Sequence, residues 1–337
     1  MSSIRIAIIG CGGVARGHAW RFRNHKDAQI VALCDVNAES LERFRAEQLK
    51  GYEPAPPLFT DAAEMYREMR LDAVAILTPH TLHFGQGMQA LEAGCHVLME
   101  KPMVTSADQA RRLAAKAEGS ARILVIAYNT PCTPEFDFIR NAIRNKTLGR
   151  LELVNGYLCQ NWMGWTTHTW RQDPALSGGG MSYDTGAHLL NSVCWSVESE
   201  IAEVFAFVDQ HGSPVDINSS IHVRFANGVL AGLMVGGNCP AEGTALHFVF
   251  DGGRIETDGW NGGWINVWRG WEKWKYPPIT AVPQTPNDNF IDAILGRAQP
   301  RTSPRNGIIQ CELMDAIYES ARSRKPVSPR VGTDEHG

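Results

Sequence analysis

The sequence lacks the features of several large classes of protein. Acidic residues outnumber basic ones, 36 against 32, and the formal net charge of −4 leaves no broad basic field to gather nucleic-acid phosphates. No apolar run is long enough to span a bilayer, and the short run at the amino terminus leads into glycines, not into a cleavage site. We therefore expect no nucleic-acid partner, no membrane partner and no signal peptide.

Cysteine pairs of the CxxC type are also missing. The eight cysteines are scattered along the chain, and several stand inside apolar, strand-like runs. Nothing in this spacing indicates a structural zinc site or a redox disulfide. We interpret the cysteines as reduced, buried thiols of a cytoplasmic protein.

Two patterns of secondary structure follow one another along the chain. Up to about Asn129, short β-branched runs alternate with helical stretches, which predicts βαβ units and a parallel sheet. The strand candidates are IRIAIIG, QIVALCD, DAVAILT, HVLMEKP and ILVIAYN. Later strands alternate polar and apolar residues, and Asn227-Gly228 favours a type I′ hairpin, which predicts a largely antiparallel sheet. We expect an α/β domain over residues 1–128 and a second domain over residues 129–337.

The first predicted strand ends in a glycine-rich turn that opens a helix. Its pattern is G-x-G-x-x-A, formed by Gly10, Gly12 and Ala15. Gly10 would permit a tight turn, Gly12 would let a pyrophosphate approach the backbone, and Ala15 would let the helix pack closely on the strand. The free N–H groups and the positive end of the helix dipole would attract that anion. The residues expected to bind a dinucleotide here are Gly10, Gly12, Gly13, Val14 and Ala15.

An acidic residue, Asp35, ends the second predicted strand, roughly 20 residues after the turn. A carboxylate in that place can accept hydrogen bonds from both hydroxyls of an adenosine ribose, and it would repel a 2′-phosphate. Asp35 therefore favours NAD over NADP as the cofactor. The alternative is a solvated loop carboxylate or the cap of the next helix.

A charged pair closes the strand HVLM, where Glu100 and Lys101 precede Pro102. The carboxyl ends of parallel strands form the edge at which doubly wound folds bind their ligands. We therefore expect both charged groups at a ligand site, with Lys101 as a functional ammonium. The alternative is a solvated surface lysine.

A second candidate for chemistry is the segment GGGMSYDTGAH, residues 178–188. Three glycines predict a flexible entry, and Asp184 and His188 are four residues apart, so on a helix both would point from one face. An imidazole beside a carboxylate can act as the general base that removes an alcohol proton. The alternatives are an ordinary ion pair or a helix cap. A metal is not expected, because no second ligand pair or thiolate motif accompanies the two residues.

Tryptophans are concentrated just before this segment, at Trp162, Trp165 and Trp170. Flat indole faces pack well on the C–H faces of sugar or cyclitol rings, and Arg171 could bond ring hydroxyls. The alternative is that these aromatic side chains fill a core or an interface. A neutral polyhydroxy substrate also fits the shortage of clustered arginines.

Several of these segments together resemble the glucose-fructose oxidoreductase / inositol dehydrogenase / MocA (Gfo/Idh/MocA) family. They are GCGGVA, VALCD, TPHTLH, EAGCHVLMEKP and SGGGMSYDTGAH, and the stretch from Asn289 to Val327 is similar to the end of those proteins. The resemblance implies an N-terminal Rossmann dinucleotide-binding domain followed by an α+β domain with a large, mostly antiparallel open sheet. That sheet often serves as an oligomer interface in the family, so we expect a homodimer or homotetramer formed through the C-terminal sheet.

The resemblance also implies roles for individual residues. Lys101 would assist at the substrate hydroxyl, His188 would be the acid/base, and Asp184 would orient the substrate or His188. Further cofactor contacts would come from Thr78, Pro79, His80, His83, Glu100, Lys101 and Asn129. Substrate contacts are expected at Lys101, Trp162, Arg171, Asp184 and His188.

Two departures from the family pattern affect the expected substrate. Asn191 stands where many relatives have an acidic residue three positions after the histidine, which bears on substrate contacts or on the acidity of His188. The segment Thr130-Pro131-Cys132 stands where many relatives have an arginine-containing stretch.

The predicted function is hydride transfer between NAD and a secondary alcohol of a sugar, a sugar derivative or a cyclic polyol such as an inositol. Two alternatives use the same fold. One is a redox-neutral enzyme that acts on glycosides by transient oxidation with bound NAD. The other is a non-catalytic sensor of dinucleotide or sugar.

Overall fold

The computed structural model describes residues 3–260 and 262–329. They form two compact units, the first comprising residues 3–104, 108–127 and 284–305 and the second residues 105–107, 128–283 and 306–329. Unlike the predicted domains, these units are not contiguous in sequence, because segment 284–305 belongs to the first. The predicted boundary at residue 128 remains a proposal, and residues 330–337 of the predicted second domain lie outside the described residues.

The first unit is built on a six-stranded sheet. Its strands are β1 (Ile4–Ile9), β2 (Ala28–Cys34), β3 (Leu58–Phe59), β4 (Ala73–Ile76), β5 (His96–Met99) and β6 (Leu124–Ile126). They stand in the order β3-β2-β1-β4-β5-β6, and every neighbouring pair is parallel. This is the strand order of the Rossmann fold. Nearly every residue of β1 is buried, as expected of a strand in a sheet covered on both faces.

The α-helices of the described residues are, in chain order, α1 (Gly13–Arg23), α2 (Ala38–Gln48), α3 (Ala62–Glu68), α4 (His83–Glu92), α5 (Ala107–Gly119), α6 (Pro134–Arg144), α7 (Trp162–Thr166), α8 (Pro174–Ser177), α9 (Gly186–Val197), α10 (Pro286–Ile294) and α11 (Pro304–Ser323). Helix α10 contacts α1 in the first unit. Gly94 follows the end of α4 with a φ of +77°, a conformation that favours glycine at the end of a helix. None of the helices within residues 3–260 and 262–329 is long and apolar enough to cross a membrane.

The second unit contains an eight-stranded sheet. Its strands are β7 (Leu151–Cys159), β8 (Ile201–Asp209), β9 (Asn218–Phe225), β10 (Leu230–Gly236), β11 (Gly243–Phe250), β12 (Gly253–Thr257), β13 (Ile265–Arg269) and β14 (Glu272–Lys273). The strand order is β14-β13-β12-β11-β7-β10-β9-β8. Every neighbouring pair is antiparallel except β7 and β10, which are parallel. The predicted, mostly antiparallel sheet is therefore confirmed.

The hairpin between β9 and β10 forms where the sequence predicts it, but its turn type was predicted wrongly. A type I′ turn needs left-handed backbone at both central residues, whereas only Gly228 adopts it, with a φ of +90°, and Asn227 does not. The Gly228 N–H donates to the Phe225 carbonyl at 2.9 Å, and the Phe225 N–H donates to the Val229 carbonyl at 2.9 Å. The connection is therefore one residue longer than the sequence pair suggests, with the glycine in the position that a bulged hairpin requires.

The two faces of this sheet differ. One face packs into the core, where α9 is buried along its whole length together with inward strand residues such as Val154 and Leu158. On the other face, Met234 of β10 pairs with Tyr157 of β7 on one side and with Ser220 of β9 on the other. Ser220 in turn pairs with Phe207 of β8, so the four residues form a row across the sheet. The large side chains of Tyr157, Met234 and Phe207 are 47%, 60% and 63% exposed. The sheet therefore presents an apolar patch, which we call the open face.

The cysteines follow their predicted pattern only in part. All eight are free thiols, and six of them are buried. Cys159 and Cys239 are partly exposed, so the prediction of burial was wrong for these two.

Candidate active site

The glycine turn at the start of α1 has the shape that its sequence predicts. Gly10 has a φ of +90°, and a Cβ there would lie 2.8 Å from the Leu77 carbonyl group and 2.9 Å from Thr78 Cγ2. Only glycine fits this close approach. A Cβ at Gly12 or Gly13 would meet no described atom within 4 Å, so the outer side of the turn is open.

The start of α1 is suited to an anion. Gly12 caps the helix without a side-chain hydrogen bond, and the first turn contains no acidic residue. Ala15 is fully buried, which allows the close helix–strand packing predicted for it, and Val14 is exposed. The first N–H groups of the helix and its dipole are therefore available to a pyrophosphate.

Asp35 joins the glycine turn to the end of β2. Its Oδ2 accepts the Cys11 N–H at 2.8 Å, and its Oδ1 accepts the Asn37 N–H at 2.9 Å. The cap of α2 is Asn37, whose side chain accepts the Ser40 N–H, so the alternative of Asp35 as that cap is wrong. Each carboxylate oxygen keeps a lone pair with which it can accept a ribose hydroxyl.

Glu100 is held from two sides in the interior of the first unit. His18 Nε2 lies 2.9 Å from Oε1, and the Lys101 N–H donates to Oε2 at 3.1 Å. Burial alone would raise the pKa of Glu100, but the hydrogen bond and charge of His18, with the charge of Lys101, lower it to about 2. Glu100 is therefore a fixed anion beside Lys101, which is half-buried and precedes a cis peptide bond to Pro102.

His83 lies between two loops of the first unit. Its Nδ1 is 2.8 Å from the Pro102 carbonyl oxygen, its Nε2 is 2.9 Å from that of Thr78, and the ring is fully buried. Burial lowers the pKa of His83, against the opposing effect of the two carbonyls and Glu100. This enclosed ring has no nitrogen left for the cofactor contact predicted for it.

The other residues predicted on the loop after β4 lie near His83. His80 is buried, with its ring centroid 5.9 Å from that of His83. Thr78 Oγ1 donates to Gln86 Oε1 at 2.5 Å, which ties the loop to α4. Pro79 is half-buried and precedes the short 3-10 helix His80–Leu82.

In the second unit the three glycines before Asp184 are tightly packed, so the expectation of a flexible entry was wrong. Gly178 has a φ of +74°, and a Cβ there would lie 2.6 Å from Thr105 Cγ2. The buried carboxylate of Asp216 accepts the Gly180 N–H at 2.6 Å and the Ser182 N–H at 2.8 Å. Asp216 therefore fixes the turn that carries Asp184.

Asp184 and His188 do not share a helix face, so that prediction was also wrong. Helix α9 begins at Gly186, and Asp184 precedes it in a turn in which its N–H donates to the Gly180 carbonyl at 3.0 Å. His188 lies in the first turn of α9, where its N–H donates to the Thr185 carbonyl at 3.0 Å. The loop conformation thus sets the direction of Asp184.

The carboxylate of Asp184 is bound by two residues that were predicted to contact substrate. Its Oδ2 accepts the Trp162 Nε1–H at 2.8 Å and the Arg171 Nε–H at 2.8 Å. Trp162 is 2% exposed, so its ring faces are enclosed and cannot serve as the sugar platform that the sequence suggested. The guanidinium of Arg171 also lies over the Trp170 ring, 4.6 Å from its centroid.

Aromatic rings enclose His188. Trp260 stacks on it with centroids 4.9 Å apart, and Tyr128 meets it edge-on at 5.8 Å. Trp260 was not among the residues predicted for the site, and the only signal that could have indicated it was the abundance of tryptophan in the sequence.

Both departures from the family pattern lie close to this histidine. The Thr130 hydroxyl donates to the Trp260 carbonyl, so the segment Thr130-Pro131-Cys132, a short 3-10 helix that Asn129 precedes, supports the ring that stacks on His188. Asn191 is buried one turn after His188 on α9, and neither of its amide atoms has a partner among the described residues. No group of three or more His, Cys, Asp or Glu residues in the described ranges could hold a metal ion.

The predicted site residues thus form two groups. The first unit brings together Gly10, Gly12, Gly13, Val14, Ala15, Asp35, Thr78, Pro79, His80, His83, Glu100 and Lys101. The second unit brings Trp162 and Arg171 to Asp184, and it also contains His188 and Asn129. His18 in the first unit and Asp216 in the second were missed. His18 could have been found, because it is a polar residue at the helical spacing of the buried Ala15, Ala19 and Phe22.

Two family models match the chain in succession. The model described as an oxidoreductase family with an NAD-binding Rossmann fold matches residues 4–128. The Gfo/Idh/MocA C-terminal domain model matches residues 136–256.

Individual relatives agree with these matches. The D-glucoside 3-dehydrogenase of Escherichia coli (strain K12) is 28% identical over 197 residues, which cover 58% of this chain and 54% of that protein. The glucose-6-phosphate 3-dehydrogenase of Bacillus subtilis (strain 168) is 29% identical over 199 residues, with the same coverage of 58% and 54%. The chain therefore spans about half the length of the curated relatives that it matches.

A solved structure extends the likeness over the whole fold. The WlbA dehydrogenase of Bordetella pertussis, crystallised with NADH and UDP-GlcNAcA, has a TM-score of 0.84 at 23% identity and covers 98% of this chain and 99% of that one. The fold predicted from the sequence, a Rossmann domain followed by an α+β domain with a mostly antiparallel open sheet, is confirmed. The two family models, which together match most of the chain, show that it belongs to the Gfo/Idh/MocA oxidoreductase family.

Proposed function

We propose that this protein is an NAD-dependent oxidoreductase that transfers a hydride between nicotinamide and a secondary alcohol of a sugar, sugar derivative or cyclic polyol. One observation carries the proposal: the open glycine turn of α1 lies beside the Asp35 carboxylate, which is fixed by the Cys11 and Asn37 N–H groups. The turn can receive a pyrophosphate while Asp35 accepts ribose hydroxyls. A 2′-phosphate would be repelled by Asp35, which supports NAD over NADP.

The chain's own residues would then manage the proton and the developing charge. His188 removes the proton of the substrate hydroxyl, and the ammonium of Lys101 stabilises the alkoxide as it forms. Asp184 orients the site while Trp162 and Arg171 hold its carboxylate. NAD, when bound, supplies the hydride acceptor.

The substrate class is supported by chemistry and by relatives. Two relatives are named as 3-dehydrogenases of a glucoside and of glucose 6-phosphate, which favours a secondary ring alcohol of a sugar over an inositol. Asn191 offers a neutral, hydrogen-bonding amide one turn after His188, where a carboxylate would have added charge. We therefore place a neutral polyhydroxy ring first among the substrates.

The direct test is a screen for reduced nicotinamide. The protein is incubated with NAD or NADP and with a panel of aldoses, glycosides, anhydrosugars and inositols, and the absorbance of the reduced cofactor is followed. We expect a signal with NAD and at least one ring alcohol, and a weaker one with NADP. Free sugar released from a glycoside without net NADH would indicate the redox-neutral alternative. NAD binding without either product over the whole panel would indicate the sensor.

The open face of the second unit supports an assembly of identical chains. Tyr157, Phe207 and Met234 expose large apolar side chains on one face of the sheet, and exposed apolar patches often mark protein–protein interfaces. We propose a homodimer or homotetramer that covers this patch. Light scattering should give a mass above 37.2 kDa, and Phe207→Glu should lower it. The cytoplasmic location stays a prediction.

A further inference from the structure

We infer that His83 is a positioning residue that holds the loop after β4 against the loop after β5, and that it does not contact the dinucleotide. The inference rests on the proposed function for its consequence, since these loops carry Thr78 and Lys101. It differs from the expectation drawn from the family resemblance, in which His83 was a cofactor contact.

The contacts of the His83 ring nitrogens are with main-chain groups of these two loops. Both nitrogens lie within hydrogen-bonding distance of main-chain carbonyls, 2.8 Å from Pro102 and 2.9 Å from Thr78, and no part of the residue is exposed. The two carbonyls come from loops that follow neighbouring parallel strands, β4 and β5. A planar ring of fixed size therefore sets the spacing between these loops.

Each of the two loops carries a residue of the proposed site. Thr78 faces the glycine turn, because its Cγ2 would lie 2.9 Å from a Cβ at Gly10. Pro102 directly follows Lys101, whose N–H is bound by Glu100 at 3.1 Å. A shift of the Pro102 carbonyl would therefore move Lys101, and displacement of a reacting group by about 1 Å can lower turnover by about 10²-fold.

A matched control is His96, at the amino end of strand β5, whose carboxyl end leads to Lys101 and Pro102. His96 begins β5, is half-buried, and its Nδ1 accepts the Ile123 N–H at 2.9 Å. Like His83 it binds backbone within the first unit, but it lies at the amino end of the strand, away from the proposed ligand edge. His96→Ala therefore tests for general loss of stability.

The first experiment compares His83→Ala, His83→Gln and His96→Ala by turnover, NAD affinity and melting temperature. We expect His83→Ala to lower kcat by at least about tenfold, with a smaller change in the Kd for NAD. His83→Gln should recover part of kcat, because its amide can still donate to a carbonyl. His96→Ala should lower the melting temperature and leave kcat within about twofold of the wild type. Equal losses of kcat in the two alanine variants, or a loss confined to NAD affinity, would overturn the inference.

A second experiment keeps the inference testable if no sugar is turned over. In protein labelled with ¹⁵N, the His83 ring signals are identified by their absence from His83→Gln, and NAD is added. If the chemical shifts of the ring nitrogens do not change when NAD is added, the inference is supported. Large changes in these shifts, as expected of a ring that contacts NAD directly, would overturn it.

Should the wild type bind no NAD, the proposed function fails but the positioning role is still decided. The backbone amide signals of Thr78 and Lys101 must then shift in His83→Ala and not in His96→Ala. Unshifted signals in both variants would refute the role.

Discussion

The two groups of site residues differ in what holds them in place. In the first unit, main-chain groups provide most of the contacts: Asp35 binds two backbone N–H groups, and His83 lies between two carbonyls. In the second unit, side chains distant in sequence hold one another. Asp184 is bound by Trp162 and Arg171, and His188 lies against Tyr128 and Trp260.

This difference decides how each group responds to substitution. Where main-chain groups at turns and strand ends hold the site residues, replacing one side chain removes its function and leaves the geometry of the site largely intact. A site built from side chains changes its geometry when any member is replaced. Substitutions in each group test whether that distinction holds.

Lys101→Ala should have the largest effect. Removing the ammonium takes away the group proposed to stabilise the alkoxide, so kcat should fall by about 10³-fold. The glycine turn and Asp35 are untouched, so the Kd for NAD should stay within about threefold, as calorimetric titration can check. Lys116→Ala is a suitable control, because that ammonium pairs with Glu92 at 3.5 Å on the surface. Unchanged turnover in Lys101→Ala would confine the chemistry to the second unit.

The buried pair of His18 and Glu100 is the main exception to the backbone pattern in the first unit. The pKa of Glu100 is lowered from 4.5 to about 2, so its carboxylate contributes stability that is fully present above pH 4.5 and is lost as the pH falls toward 2. Glu100→Gln should lower the free energy of unfolding at neutral pH by about 3 kcal/mol.

The check on this pair is denaturant unfolding at several pH values between 7 and 3. The wild type should lose its advantage over Glu100→Gln as the pH drops through the range of the carboxylate. Asp108→Asn, which removes an exposed partner of Arg112, is the control and should leave the pH dependence nearly unchanged. Parallel curves for the wild type and Glu100→Gln would show that the pair contributes no such stability.

Asp184→Asn should lower kcat/KM by about 10²-fold. The amide oxygen can still accept from Trp162 and Arg171, so the contacts survive while the charge that orients the site is lost. Steady-state kinetics would measure the change, with the exposed Asp209→Asn as control. Full activity in Asp184→Asn would mean that the hydrogen bonds with Trp162 and Arg171 are enough to orient the site and that the negative charge of Asp184 is not needed.

The same difference explains what could be predicted from the sequence. Gly10, Ala15 and Asp35 are recognisable because a strand, a turn and a helix follow one another within a short stretch, and the backbone alone then fixes their positions. The parallel and antiparallel sheets were also predictable, since the alternation of apolar and polar residues differs between them.

The second group was harder, for physical reasons. The spacing of Asp184 and His188 suggests one helix, but Asp216, from a distant segment, holds the preceding turn by two N–H groups, and α9 starts only at Gly186. Trp162 resembles a sugar platform in sequence, and only its burial against Asp184 reveals the role of its N–H. Contacts between distant segments carry no local signature.

Two glycines with the same backbone angle give the smallest and most direct comparison. Gly228 in the hairpin has a φ of +90°, and a Cβ there would meet no described atom within 4 Å, so Gly228→Ala should lower stability only by the left-handed strain of about 1 kcal/mol. Gly10 has the same φ, but a Cβ would also lie 2.8 Å from the Leu77 carbonyl, so Gly10→Ala should lower stability further and weaken NAD binding. Calorimetric melting and NAD titration of both variants would measure this. Equal destabilisation would mean that the chain near Leu77 yields without resistance, and the glycine turn would then not be fixed by its backbone contacts.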